Sequence, residues 1–266
     1  MVNSRITMLG TVSELKAAIN GRTTAGMILE VDNNMIVLDP GIGTVVRASQ
    51  ANIDLNKTNI ILSSSPDIIY CNDINAIIDH TDKNIHLICT RELVQHESSV
   101  LTLQHAKNLK ILTVENEKET NIKNIGISAL HTGYALAFKI HTSKYVLGYI
   151  TKAKYSKAFA EYFKDTNILV INTTILKHDK SPYLDFEEIC EMIREIGPEL
   201  VILSGFSKKM IDQDPLEIAR KIKLELQKDK DQPIRTQILP AKELMTINPE
   251  SYNIRLKQKD LKGFLE

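Results

Sequence analysis

The side chains able to do acid, base, nucleophilic or metal chemistry are spread thinly along this chain. Of its seven histidines, His80, His86, His96, His105, His141 and His178 show neither the H-x-H nor the i, i+4 spacing that lets two imidazoles converge on one ion. They read as solvated or capping residues. Asp79-His80-Thr81-Asp82 imitates a ligand cluster, yet it closes a helical pattern and has no neighbouring histidine, so a surface role is expected. Cys71, Cys89 and Cys190 are odd in number and outside any C-x-x-C spacing, which fits reduced thiols packed as small apolar groups and a cytoplasmic location. Cys190 lies among Ile189, Met192 and Ile193, and no base stands near it in sequence to activate a thiolate. Neither G-x-G-x-x-G nor G-x-x-x-x-G-K-[ST] occurs. Gly41-Ile42-Gly43 could offer backbone N–H groups to an anion, but a turn before a helix is the simpler role.

The elements that must position these groups are those of a layered α/β chain. Apolar residues make up 43% and charged residues 25% of 266, with 33 basic and 33 acidic side chains in balance. That balance argues against a sequence-independent nucleic-acid binder, which needs excess positive charge to displace counterions from phosphates. The segment MVNSRITMLG lacks the apolar core of a signal peptide and no apolar stretch is long enough to span a membrane, so neither secretion nor membrane spanning is expected. One domain over 1–266 is expected.

Short apolar runs at 5–9, 26–31, 35–39, 59–63 and 85–90 predict strands, with a tight turn at Asn33-Asn34. Helical patterns at 43–51 and 73–80 lie between them, and more strands are predicted at 110–114, 122–130, 134–142 and 144–150. From about residue 154 helices and strands alternate. Amphipathic stripes cover 154–164 and 185–196, the apolar runs 167–174 and 199–206 read as strands covered by helices, and Asp214-Pro215 opens a last helix. A meander followed by helices, twice over, predicts two sheets packed together with helices outside.

The order of several segments resembles the metallo-β-lactamase superfamily, and its archaeal-type members in particular. GRTTAG, LDPGIG, IILSSSPDIIYCND, ALHTGYALAFKI, YVLGYITKAKYSKAF, ILVINTT and LVILSGFSKKM follow the family's sequence order over nearly the whole chain. The resemblance implies an α/β fold, a four-layer αββα sandwich, and an HxHxDH loop whose side chains would hold two metal ions about 3.5 to 4 Å apart.

The ligand positions do not follow. In the loop Ser64-Ser65-Pro66-Asp67-Ile68-Ile69, the residues Ser64, Pro66, Ile68 and Ile69 stand where the family has His, His, Asp and His. His131 in ALHTGYALAF matches the next ligand. Lys152 in Gly148-Tyr149-Ile150-Thr151-Lys152 replaces the bridging carboxylate, and Gly205 replaces the last histidine. An ammonium where a carboxylate should bridge two dications repels both. No metal and no cofactor are therefore expected.

The candidate cleft comprises Ser64, Ser65, Asp67, His131, Lys152 and Asp39. His131 is either a vestigial pocket residue or a structural imidazole. Lys152 either receives an anion with help from Ser64, Ser65 and Thr151, or pairs with Asp67 or Asp39. Asp39 fixes the turn before a helix. The expected function is that of a catalytically silent pseudoenzyme acting as a binding or scaffold protein for a protein partner or a small anionic metabolite, with a homo-oligomer as one form it can take. A metal-independent hydrolase or transferase using the remodelled cleft is the alternative, and the family's metal-dependent hydrolase the second.

Overall fold

In the computed structural model, residues 4–18, 21–81, 84–95, 100–107, 109–113, 118–174, 181–228 and 235–252 are described. Residues His96, His178 and Asp82 lie outside that set. In chain order the elements are β1 (Arg5–Met8), β2 (Ala25–Val31), β3 (Asn34–Pro40), α1 (Thr44–Gln50), β4 (Thr58–Leu62), α2 (Ile68–Cys71), α3 (Ile74–Asp79), β5 (Ile85–Cys89), α4 (Arg91–Gln95), α5 (Leu103–Ala106) and β6 (Leu109–Thr113). The second half holds β7 (Thr120–Ile122), β8 (Ile125–His131), β9 (Leu136–His141), β10 (Val146–Ile150), α6 (Lys157–Tyr162), β11 (Ile168–Asn172), α7 (Phe186–Ile196), β12 (Leu200–Ser204), α8 (Lys208–Asp212), α9 (Pro215–Leu226), β13 (Gln237–Pro240) and β14 (Thr246–Ile247).

The strands form two seven-stranded sheets, ordered β14-β1-β2-β3-β4-β5-β6 and β13-β12-β11-β10-β9-β8-β7. Each begins as an antiparallel meander and continues as parallel strands joined by helical crossovers. Apolar side chains from both sheets, among them Met27, Leu38, Leu62, Phe138, Ile140 and Val170, fill the space between them. A second cluster packs the second sheet under α6, α7 and α9, and a third packs the first sheet under α1 and α3. Both faces of each sheet are thus dry, which is why the central strands read as unbroken apolar runs rather than alternating ones. This is the predicted αββα sandwich.

Local chemistry sets the element ends. Asp185 and Glu188 form a reciprocal capping box on α7, and Gly197, at φ 62°, ends it in the left-handed region. The side chain of Asp214 caps α9 ahead of Pro215. Three expectations need correcting. The β2–β3 turn is Asp32-Asn33, both at positive φ, and Asn34 already pairs with Val31; Asp tolerates that conformation nearly as well as Asn. The run 122–130 is two strands, broken at Lys123-Asn124 with Ile122 opposite Ile125. The helix drawn over 154–164 starts only after Ser156, whose side chain accepts from the N–H of Phe159 and caps α6.

Strands β3, β4, β10, β11 and β12 all end at the same edge of the sandwich, so the segments after them converge there. Gly26 on β2 lets that edge close: a Cβ at this position would lie 1.9 Å from the Leu38 carbonyl oxygen and 2.3 Å from that of Asp39. Gly26→Ala must push β3 and Asp39 out of place. We expect a loss of about 3 kcal/mol or more in urea unfolding; a loss within experimental error of zero would show that β2 and β3 do not hold this edge.

Candidate functional site

The edge is organised by Asp39. It is the penultimate residue of β3, with φ at 49°, a strained conformation for a residue with a side chain, and is 1% exposed. Its carboxylate accepts the Ser64 N–H at 2.6 Å, the Ser64 hydroxyl at 2.7 Å and the Tyr149 hydroxyl at 2.9 Å. Thr151 Oγ1 in turn donates to Ser64 Oγ at 3.0 Å. One carboxylate therefore ties together the end of β3, the loop after β4 and the end of β10. Burial pushes the Asp39 carboxyl up to about 7, against the lowering effects of the Ser64 N–H, the Ser64 and Tyr149 hydroxyls and the charge of Lys152.

Lys152 makes a short ion pair with Asp67, the residue preceding α2, and its Nζ lies 5.1 Å from the centre of the Tyr70 ring. The lysine side chain is 11% exposed and that of Asp67 is 55% exposed, so the pair straddles the surface. The Thr132 hydroxyl holds the Lys152 carbonyl at 2.7 Å. Ser65 turns away from this group: its hydroxyl accepts the Asp67 N–H at 3.3 Å and stabilises the local turn. His131 is exposed at the end of β8, where Nδ1 accepts the Gly133 N–H at 3.0 Å. Asp39, Ser64, Asp67 and Lys152 are thus brought together, whereas Ser65 and His131 serve turns beside them.

Two aromatic side chains close the space beside this group. Tyr70 and Tyr149 are both buried, and burial raises each phenol well above its usual range. What remains is a pocket of about 20 Å³ bordered by Asp39, Tyr70, Tyr149, Asn172, Ser204 and Gly205, room for about one water. Gly205 has φ 60°, and a Cβ there would lie 2.2 Å from the Asn172 carboxamide carbon. No histidine fits at that position while Asn172 stays in place.

The metal ions that the fold family implies fail to find ligands here. Hydroxyl, pyrrolidine and aliphatic side chains replace the loop donors, an ammonium already bound to a carboxylate replaces the bridge, and Asn172 occupies the space beside Gly205. Among the described residues no three His, Cys, Asp or Glu side chains are grouped to hold an ion. The cysteines offer nothing further: Cys71, Cys89 and Cys190 are buried free thiols, and burial pushes them up to about 12, 12 and 11. Sequence reasoning missed Asn172 and the Tyr149–Asp39 contact, since neither belongs to a spaced motif.

Asp39 makes a pH prediction. A carboxyl raised from 3.8 to about 7 holds its proton longer in the folded than in the unfolded chain. Its contribution to stability is therefore present in acid and is lost as pH rises from about 4 through 7, by roughly 4 kcal/mol. Asp39→Asn removes that titration. In denaturant unfolding at pH 4.5 and 7.5, the stability of wild type relative to the variant should fall as pH rises; parallel profiles would show that Asp39 is ionised throughout.

The sequence matches no family model and no curated protein. Solved structures do match. The metallo-beta-lactamase fold protein YhfI from Bacillus subtilis superposes with a TM-score of 0.75 at 12% identity, over 92% of this chain and 99% of that one. Igni18, a metallo hydrolase from Ignicoccus hospitalis, gives 0.66 at 14% over 92% and 97%. The short form of human tRNase Z gives 0.65 at 10% over 91% and 98%. Among the described residues no helix is long and apolar enough to cross a membrane. Two mixed seven-stranded sheets with helices outside, matched end to end by these structures, give this chain the metallo-β-lactamase fold.

Proposed function

We propose that this chain is a catalytically silent protein of the metallo-β-lactamase fold that acts by binding. The observation that carries this reading is the Lys152–Asp67 ion pair. It puts a fixed positive charge, already neutralised by a carboxylate, where a metal-bridging carboxylate would be needed. The metal-dependent hydrolysis that the family resemblance implies needs a donor set that these residues do not supply.

The metal-independent alternative would use Ser64 as nucleophile and Asp39 as its base, a pairing that the 2.7 Å hydrogen bond resembles. Ser64 is fully buried, however, and its backbone carbonyl is held by the Leu136 N–H at 2.8 Å. An acyl or phosphoryl substrate would have no approach to Oγ. The start of α2 and the β8–β9 turn instead expose Ile68 and Tyr134, 45% and 51% accessible, as an apolar rim. That rim suits a protein partner or a small anionic metabolite reading Lys152 from outside, and the buried free thiols suit a cytoplasmic setting.

The test is a panel of phosphodiester, thioester and lactone substrates, run with zinc, manganese or ferrous iron supplied. Wild type and Lys152→Met should both turn over at the rate of buffer alone. Saturable turnover by wild type that falls in Lys152→Met would establish an enzyme and overturn the proposal.

A further inference from the structure

At the edge of the sandwich opposite the closed cleft, the starts of β3, β4 and β5 meet the β7–β8 turn of the other sheet. A cavity of about 340 Å³ opens there, lined by Glu30, Asn33, Asn34, Met35, Lys57, Asn59 and Lys123. It is far roomier than the remnant beside Asp39.

Its charge is one-sided. Glu30 is the single carboxylate on its wall, and it is already engaged by Arg5 in a close ion pair. Lys57 and Lys123 form no ion pair among the described residues, and the same holds for Lys110, which stands beside His86 in the β5–β6 register. His86 is held below the usual imidazole range chiefly by burial, with Lys110 and Lys123 adding to the effect. The imidazole Nδ1 is buried without a hydrogen-bond partner among the described residues.

Lys123 also sits in an unusual conformation. It is the first residue of a two-residue hairpin turn with φ at 53°, a position where Gly or Asn carries less strain. Lysine there projects a cation from the second sheet toward groups of the first. The polar floor is fixed: Asn59 donates to Asn34 at 3.0 Å and accepts the Met35 N–H at 3.2 Å, while Asn34 Nδ2 holds the Asp32 carbonyl at 3.0 Å. A floor so tied needs little reordering when a ligand arrives.

We propose that this distal cavity binds a small phosphorylated metabolite carrying two phosphoryl groups. The lysines supply the charge for phosphate oxygens, with Lys57 and Lys123 reaching it from the two sheets. No aromatic side chain lines the cavity, so it offers no stacking platform for a nucleobase and favours a non-aromatic ligand. Such a site is independent of the ion pair at the opposite edge.

Inorganic pyrophosphate titrated into the full chain by calorimetry is the test, with inorganic phosphate as the weaker comparison. We expect saturable binding of pyrophosphate that weakens as salt rises. Lys57→Gln and Lys123→Asn should each raise Kd roughly fivefold, and the double variant by more than about tenfold. Both lysines are exposed, and Asn suits the turn conformation at 123, so the variants keep their fold; an unchanged thermal midpoint checks this. Lys208→Gln, on α8 away from the cavity, should leave Kd unchanged. Absence of saturable binding, or binding that the double variant leaves intact, would overturn the proposal.

Discussion

One buried carboxylate holds the functional edge of this molecule together. Asp39 stands between the two sheets and gathers a backbone N–H and two hydroxyls from the loop after β4 and the end of β10. A carboxyl in that position is costly to ionise, and its donors are what make it tolerable. The strained φ at Asp39 is the other half of the same constraint, since it lets the chain end β3 at Pro40, pass Gly41, and start α1 while the side chain turns inward. Gly26 supplies the room that this bend needs.

Around that hub the edge is filled by packing and hydrogen bonds. Tyr70 and Tyr149 occupy space, Asn172 occupies more beside Gly205, and Lys152 closes the mouth against Asp67 with its ammonium near the Tyr70 ring. These contacts support one another. A lysine pointing into an empty, partly buried cleft would be poorly solvated, whereas here a carboxylate and an aromatic face receive it. The edge where β3, β4 and β10 end is thus a closed, hydrogen-bonded seam.

Much of this was legible in the sequence, and the exceptions have physical causes. The central strands were readable because both faces of each sheet are buried, so Ile60, Val170 and Ile202 belong to unbroken apolar runs. The lack of donor side chains at Pro66, Ile68 and Ile69 was readable because it concerns residue identity: isoleucine and proline carry no donor in any conformation. Lys152 was readable as an ion-pair partner of Asp67 or Asp39, but only the three-dimensional arrangement chooses Asp67. The break at Lys123 was hidden because lysine is not a turn-forming residue, and the Asp32-Asn33 turn was misplaced by one because Asp and Asn tolerate the same backbone region. Tyr149 and Asn172 acquire their roles from contacts across the two sheets, which no local periodicity records.

Whether the ligand positions were truly given up is settled most directly by metal content. Elemental analysis of protein purified without chelator should find far less than one equivalent of zinc, iron or manganese per chain, because His131 alone cannot replace a coordinating set. Stoichiometric metal that disappears in His131→Ala would contradict the account, since it would place an ion in a cleft that Tyr70, Asn172 and Lys152 are held to have closed.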